Sequence, residues 1–240
     1  MPSVDISSHT STSMKMKEGR IKDFDLLKVL GKGAYGKVFQ ARKVRGSHQG
    51  QVFAIKSVNK DRIASSQTDI RHTKAERDVL VKTEHPFIVK MYYAFETNKR
   101  LYLVQEFCRG GELFRRMEVE RMMLEDHARF YLSEIVCALE YLHSLNIVYR
   151  DLKTENVMLC ETGHVKLIDF GLSKLGMGEG VLTNTFCGTG KPEWLPNSHH
   201  YCLCYWKIGQ WVNTWFLMNP NEFCSASGAL LQQHHLHFVQ

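Results

Sequence analysis

The sequence has no long apolar run. Hydrophobic residues make up 44% of its 240 residues, but no stretch approaches the roughly 20 consecutive apolar residues that a membrane-spanning helix needs. Residues 1–20 are polar and show no pattern of a secretory signal. We therefore expect a protein without a membrane span, located in the cytoplasm or the nucleus.

Concentrated charge and paired cysteines are lacking as well. The seven cysteines are scattered along the chain, and without any extracellular signal we expect them to be reduced thiols. The formal net charge is only +6, and the basic residues form no dense stretch of the kind that nucleic-acid-binding proteins carry. We expect no nucleic-acid partner and a monomer.

Regular hydrophobic patterns begin at Phe24, after a segment of residues 1–23 that is rich in Ser, Thr and Lys and is typical of a flexible leader. Apolar residues of the longest predicted helix recur every three or four positions. A pair of glycines, Gly110 and Gly111, separates the strand-rich part from this helix. We predict strands at residues 24–30, 37–44, 51–58, 90–95 and 101–107, and helices at residues 68–83 and 125–145.

A glycine-rich turn joins the first two predicted strands. Its spacing, G-x-G-x-x-G-x-V, belongs to Gly31, Gly33, Gly36 and Val38. Glycines let backbone N–H groups approach a phosphate closely. A Rossmann turn has similar spacing, but it leads into a helix and is followed about 20 residues later by an Asp or Glu. Here the turn leads into a predicted strand, and Lys56 lies where the acidic residue would be expected. Lys56 is suited to neutralise phosphate, with Glu76 as its best candidate counter-ion; a structural hairpin with solvated charges is the alternative.

Two motifs that each contain an aspartate follow the long predicted helix. An R-D-L-K-x-x-N string begins at Arg150, and a D-F-G triplet begins at Asp169. Phosphoryl transfer needs a base beside the acceptor hydroxyl and metal ions that neutralise phosphate charge. Magnesium prefers oxygen ligands and keeps several waters, so Asn156 and Asp169 are candidate metal ligands and Asp151 is the candidate base. Together with the glycine-rich turn and Lys56, these motifs match the signature set of protein kinases.

Residues 24–189 resemble the AGC group of serine/threonine protein kinases, and within it the ribosomal-protein S-six kinase branch. Strings that carry the resemblance include HTKAERDVLV, HPFIVKMYYAF, RGGELF, GHVKLIDFGLSK and TNTFCGT. The resemblance implies an α+β, two-lobed kinase fold. Residues 24–108 would form a complete small lobe with a five-stranded antiparallel sheet and one main helix. Residues 109–189 would form an incomplete helical large lobe with the catalytic and activation loops.

The resemblance also implies ATP and Mg²⁺ as cofactors. Lys56 would hold the α and β phosphates and pair with Glu76. Val38 and Ala54 would lie above the adenine and Met158 below it. The other residues implied to bind ATP are Gly31, Gly33 and Gly36 over the phosphates, Glu106 and Cys108 through hinge backbone hydrogen bonds, and Glu112 at the ribose.

Catalytic and regulatory roles follow from the same resemblance. Asp151 would act as base, and Lys153 would assist at the γ-phosphate. Thr185 resembles the activation-loop phosphosite, where a phosphate would pair with Arg150. The implied upstream enzyme is a phosphoinositide-dependent kinase. The implied substrates are proteins with basic residues near the target Ser or Thr, in growth or nutrient signalling.

Some positions depart from the family pattern. Thr154 stands where the family usually has Pro, and Gln105 guards the back of the adenine pocket where an apolar residue is more common. Cys108, Cys137 and Cys160 admit a redox interpretation, but we expect buried packing thiols.

Residues 190–240 look foreign to the rest of the chain. All four tryptophans lie there, and charged residues are scarce, which is unusual for a domain surface. The family would continue after Thr189 to Ala-Pro-Glu and further helices. One possible encoding of Glu193–Asn197 reads Met-Ala-Pro-Glu in a shifted frame, so our hypothesis is a frame-shifted or mis-spliced tail. The alternatives are disordered or aggregation-prone sequence, a stretch at residues 201–218 that lies on a membrane surface, and a zinc site built on Cys202 and Cys204 with His199, His200 and Cys224.

Two functions therefore stand open at this point. The first is a serine/threonine protein kinase that transfers the γ-phosphate of ATP to protein substrates. The second is a truncated, catalytically inactive ATP-binding or regulatory module.

Overall fold

The structure, a computed structural model, describes residues 19–33, 36–121 and 123–175. The candidate phosphosite Thr185 and the tail of residues 190–240 lie outside these described ranges, as does most of the expected leader. None of the helices in the described ranges has the length and apolar character needed to cross a membrane.

Five antiparallel strands form the first sheet, in the spatial order β1-β2-β3-β5-β4. All five strands predicted from the sequence are confirmed. Their observed bounds are Phe24–Lys32 for β1, Gly36–Lys43 for β2, Val52–Asn59 for β3, Met91–Glu96 for β4 and Arg100–Glu106 for β5.

The two faces of this sheet carry different apolar clusters. One face packs aromatic residues together, with Phe24, Phe53 and Tyr93 buried and their rings edge to face. The opposite face buries Leu103, which packs with Ile63 from the short helix after β3. This second face is the one from which the side chains of the candidate site project.

Two helices follow β3: α1 (Lys60–Ala64) and α2 (Gln67–Lys82). The hydroxyl of Ser66 accepts a hydrogen bond from the backbone N–H of Asp69 at 3.3 Å and so caps the first turn of α2. The predicted helix at residues 68–83 corresponds to α2. The shorter α1 was not predicted, because five residues are too few to show helical periodicity.

The second part of the described chain is mainly helical. The long α4 (Glu125–Ser144) buries Ile135, Ala138, Leu139 and Leu142, as its apolar periodicity predicted. The remaining elements are the strand β6 (Gly111–Glu112), the helix α3 (Leu113–Glu120), and the short strands β7 (Ile147–Val148), β8 (Val157–Leu159), β9 (Val165–Leu167) and β10 (Lys174–Leu175). They pair as a three-stranded sheet β6-β8-β9 and a two-stranded sheet β10-β7.

Backbone hydrogen bonds join the strand-rich part to the helical part. The segment before β4 runs beside β9, where the N–H of Val89 donates to the carbonyl of Leu167 at 3.0 Å and the N–H of Leu167 donates to the carbonyl of Phe87 at 2.9 Å. The backbone N–H of Glu84 also donates to the hydroxyl of Tyr141 on α4 at 3.0 Å. The described chain therefore has the α+β, two-lobed architecture of a partial kinase fold.

Candidate active site

The glycine-rich turn contains glycines with different structural demands. The N–H of Gly33 donates to the carbonyl of Gly36 at 3.0 Å. A Cβ added at Gly36 would lie 1.9 Å from the carbonyl oxygen of Ser57 on β3, so strand pairing itself requires glycine there. A Cβ added at Gly31 or Gly33 would meet no atom of the described residues within 4 Å. The open space beside Gly31 and Gly33 fits a ligand that approaches the backbone closely.

The sheet places several candidate nucleotide-binding residues on one face. Val38 pairs with Lys56, and Ala54 pairs with Gln105. Directly opposed residues of an antiparallel pair share a face, as do residues two apart on one strand. Val38, Ala54, Lys56 and Gln105 therefore line the same side of the sheet, beneath the glycine-rich turn.

Lys56 is held between two carboxylates from distant parts of the chain. Its Nζ lies 2.8 and 2.7 Å from the two carboxylate oxygens of Glu76 on α2, and 3.3 Å from Oδ1 of Asp169. Burial alone would lower the pKa of Lys56, but the charges of Glu76 and Asp169 raise it well above its usual value. Lys56 is therefore held as a cation between the two carboxylates.

Asp169 lies at the exposed end of this arrangement. Burial acts to raise the pKa of Asp169, but the ammonium of Lys56 outweighs it and holds that pKa below the usual value. The Asp169 side chain is 47% exposed, and its backbone has a φ of +56°, a conformation that L-residues seldom adopt. An ionised and accessible carboxylate of this kind is suited to bind a metal ion.

The segment from Asp151 to Asn156 forms a compact loop around a buried carboxylate. Asp151 is 5% exposed, and its Oδ2 accepts a hydrogen bond from Nδ2 of Asn156 at 2.8 Å and lies 3.1 Å from Nζ of Lys153. The backbone N–H of Ile168 donates to the carbonyl of Asn156 at 3.0 Å, which brings Asp169 beside this loop. The amide nitrogen of Asn156 is committed to Asp151, so its amide oxygen is the atom suited to a metal ion.

Tyr149 and Arg150 hold the chain around Asp169 in place. From the sequence, no role was assigned to Tyr149. The Tyr149 hydroxyl donates to the carbonyl of Ile168, and the Tyr149 ring packs edge to face on Phe170 at 5.0 Å. The Nε of Arg150 donates to the carbonyl of Leu172 at 2.6 Å. The sequence offered one signal for Tyr149, its position directly before the R-D string.

The hinge, residues 107–110, connects β5 to β6. The N–H of Glu106 donates to the carbonyl of Lys90 at 2.9 Å, so that N–H is not available to a nucleotide base. The Glu106 carboxylate forms a 2.8 Å ion pair with Lys166 on β9. Cys108 is buried, whereas Glu112 is exposed and pairs with the half-buried Met158 across β6 and β8.

The oxygen atoms of Asp169 and Asn156 suit a magnesium ion. One carboxylate and one amide oxygen, from Asp169 and Asn156, are hard ligands of the kind Mg²⁺ takes when it keeps several waters. In the described part of the chain no group of three or more His, Cys, Asp or Glu side chains is placed to hold a metal ion. The candidate zinc ligands of the tail lie outside that part.

Comparison with known proteins agrees with this geometry. The family model described as "Protein kinase domain" matches residues 24–224, more than half of the chain, and the chain belongs to the protein kinase family. The matched range extends beyond Thr189, the position at which we expected the resemblance to stop. The interpretation of residues 190–240 as out-of-frame sequence remains a hypothesis.

Curated relatives point to one branch of the family. The chain is 52% identical over 192 residues to ribosomal protein S6 kinase beta of Caenorhabditis elegans, across 78% of this chain and 35% of that protein. It is 48% identical over 186 residues to ribosomal protein S6 kinase alpha-2 of Homo sapiens, across 78% of this chain and 25% of that protein. These similarities confirm the expected S6 kinase branch, and the chain spans about a third or less of these relatives' length.

Proposed function

We propose that this chain carries the ATP-binding and catalytic residues of a serine/threonine protein kinase that transfers the γ-phosphate of ATP to protein substrates. The observation that carries the proposal is the arrangement of Lys56 between Glu76 and Asp169, beside the buried pair of Asp151 and Asn156. These residues lie far apart in the sequence and converge on one cleft, which packing alone does not require.

Each residue has a definite task in the proposed reaction. Mg·ATP, when bound, supplies the transferable γ-phosphoryl group and the metal charge that neutralises it. Lys56 binds the α and β phosphates, and Glu76 keeps its ammonium in place. Asp151 orients the acceptor hydroxyl and takes its proton, while Lys153 stabilises negative charge at the γ-phosphate.

Other residues would bind the nucleotide. Asn156 and Asp169 are the proposed magnesium ligands. The ribose would meet Glu112, and the adenine would lie against Val38, Ala54 and Met158. At the hinge, the proposed backbone contacts are those of Glu106, through its carbonyl oxygen, and of Cys108. Gly31, Gly33 and Gly36 would cover the phosphates.

Regulation by phosphorylation at Thr185 is part of the proposal. The Nη1 atom of Arg150 is buried and has no hydrogen-bond partner among the described residues. A phosphate on Thr185 would offer acceptor oxygens to this guanidinium and order the loop. A phosphoinositide-dependent kinase is the proposed upstream enzyme. The proposed substrates carry basic residues near Ser or Thr, and we propose a monomer that acts in the cytoplasm or nucleus in growth or nutrient signalling.

Phosphate transfer from labelled ATP to an Arg-rich Ser peptide tests the proposal. We expect incorporation with the wild-type chain and none with Asp169→Ala, because that variant lacks the proposed metal carboxylate. Equal labelling by both proteins would show that a contaminating kinase is responsible.

The alternative function, a catalytically inactive ATP-binding or regulatory module, gives a different result. Mg·ATP would then stabilise the wild-type chain in a thermal unfolding assay, but neither protein would label the peptide. The assay therefore separates the two functions without any assumption about the tail.

A further inference from the structure

Two free cysteines lie on facing segments at the hinge. Cys108 is 6% exposed, and Cys160, which follows β8, is partly exposed. The N–H of Gly110 donates to the carbonyl of Leu159 at 2.8 Å, and a Cβ added at Gly110 would lie 2.7 Å from the Leu159 Cβ. The hinge backbone is therefore pressed against the end of β8.

The two thiols meet across this backbone contact. Each side chain interacts directly with the other. Two ion pairs lie nearby: Glu106, the last residue of β5, pairs with Lys166 on β9 at 2.8 Å, and Arg109 of the hinge pairs with Glu161 of the β8–β9 connection at 3.5 Å. The backbone hydrogen bond from Gly110 to Leu159 keeps the hinge beside the end of β8, and the less exposed of the two ion pairs, Glu106 to Lys166, supports this arrangement, so the thiols remain close.

We propose that Cys108 and Cys160 form a redox-sensitive dithiol, which closes to a disulfide when it reacts with hydrogen peroxide or another peroxide. The disulfide joins the hinge covalently to the connection between β8 and β9. The role proposed above for Cys108 concerns its backbone at the hinge, and the function proposed above uses neither thiol.

The reaction proceeds in two balanced steps. The thiolate of Cys160, the more exposed of the two, attacks one peroxide oxygen, hydroxide leaves, and a sulfenic acid forms on Cys160. The thiolate of Cys108 then attacks the Cys160 sulfur, and the sulfenic oxygen leaves as water. The two thiols together lose two electrons and two protons, and one hydrogen peroxide becomes two waters.

The surroundings set the rate of this reaction. Burial raises the pKa of both thiols, most strongly that of Cys108. The thiolate is the reactive species, so the disulfide forms slowly at neutral pH and faster as the pH rises. Close placement of the second thiol does not speed this first step, but it directs the sulfenic acid to the disulfide before further oxidation.

The expected consequence for ATP binding rests on the proposed function, in which hinge backbone atoms bind the adenine. A disulfide brings two sulfurs to about 2.05 Å, closer than two thiols in contact, and so displaces the hinge. We expect the Kd for Mg·ATP to rise at least threefold in the oxidised chain and to return to its reduced value after dithiothreitol.

Peptide mapping of the full chain tests the disulfide independently of ATP. The protein is treated with hydrogen peroxide, alkylated, and digested with trypsin without reductant. We expect a linked pair of the peptides Leu101–Arg109 and Thr154–Lys166 that disappears on reduction. Cys160→Ser should abolish the linked pair, whereas the matched control Cys137→Ser should retain it. Recovery of Cys108 in alkylated form after other cysteines have oxidised would overturn the proposal.

Calorimetric titration of reduced and oxidised protein with Mg·ATP completes the test. A linked peptide pair together with an unchanged Kd would overturn the effect on ATP binding. Absence of binding in the reduced protein would instead contradict the proposed function and leave the peptide-mapping result intact.

Discussion

Asp151 and Asp169 are chemically identical side chains in different surroundings. Asp151 is buried and accepts a hydrogen bond from Asn156, and it contacts Lys153. Asp169 is half exposed and faces Lys56. A carboxylate with a fixed direction suits a base that must meet one hydroxyl, whereas an accessible, permanently ionised carboxylate suits a metal ligand.

Asp151→Asn tests the proposed base. The amide keeps the shape of the side chain but cannot take a proton, so we expect phosphate transfer to fall by about 10²–10⁴-fold while the Kd for Mg·ATP changes less than about threefold. Peptide labelling and calorimetry measure the two quantities. Asp61→Asn, at an exposed position of α1, should alter neither. Undiminished transfer by Asp151→Asn would refute the assignment.

Lys56→Met tests the electrostatics of the buried pair. The Glu76 side chain is 4% exposed and that of Lys56 is 30% exposed. Removal of one partner from a fully buried pair costs about 3–5 kcal/mol, and the partial exposure of Lys56 reduces the expected loss at pH 7 to about 2–3 kcal/mol.

The loss caused by Lys56→Met should depend on pH. Burial raises the pKa of Glu76, and without Lys56 the main opposing interaction is lost, which leaves only a hydrogen bond from Gln105 against it. The folded variant then binds a proton more tightly than its unfolded chain, so its stability rises as the pH falls. We expect the difference from wild type to shrink between pH 7 and pH 5 in urea unfolding. A difference that grows over this range would be inconsistent with a buried, unpaired Glu76.

At the scale of elements, two glycines of the glycine-rich hairpin have different roles. Gly36 is required by strand pairing, whereas Gly33 is proposed to contact the ligand. Gly36→Ala places a Cβ 1.9 Å from the Ser57 carbonyl, which strand pairing cannot absorb without distortion. We expect a loss of about 1–3 kcal/mol and a lower Tm without nucleotide. Gly33→Ala meets no atom within 4 Å in the part of the chain that the structure describes, and it should leave the nucleotide-free Tm within about 1 °C. Thermal scans that show equal losses would contradict this difference.

One carboxylate of α4 forms hydrogen bonds at the start of β9. Glu134 accepts a hydrogen bond from the N–H of Val165 at 2.9 Å and contacts Nδ1 of His164 at 2.5 Å. Glu134→Ala leaves the buried Val165 N–H without this partner, and we expect a loss of about 1–3 kcal/mol in chemical unfolding. Glu140→Ala, on the exposed side of α4, should change stability by less than about 0.5 kcal/mol. Similar losses from both variants would exclude a specific role for Glu134.

At the scale of the whole molecule, Mg·ATP should stabilise the folded chain as a unit. The proposed ligands come from both parts of the described chain, so binding requires both parts to be folded. At a free concentration 100-fold above Kd, a ligand that binds one site stabilises by about 2.7 kcal/mol. For a chain of this size that corresponds to a rise in Tm of roughly 5–10 °C.

Metal removal provides the control for this prediction. EDTA should abolish the magnesium-dependent part of the Tm rise in the wild-type protein. Asp169→Asn should show little of that part even in excess Mg²⁺, because its amide is a weaker magnesium ligand. A full Tm rise in EDTA would show that the nucleotide binds without the proposed metal site.

Much of the fold was accessible from local sequence patterns, and the exceptions are short. The strands β1 to β5 and the helices α2 and α4 were predicted because each is long enough to show its own periodicity. The helices α1 and α3 were not predicted, and the two-residue strands β6, β7 and β10 exist only through their pairing partners. A segment of two residues carries no periodic signal, so its structure depends on tertiary contacts.

The sequence by itself determined the family, the order of the motifs and the residue types available for phosphoryl transfer, because these depend on identity and spacing along the chain. Tertiary structure decided which groups meet. Lys56 reaches Asp169 across 113 positions of sequence, Gly36 needs to be glycine because of Ser57, and Cys108 meets Cys160 because β6 pairs with β8. Contact, burial and the pKa shifts that follow from them arise from long-range packing, and no local pattern contains that information.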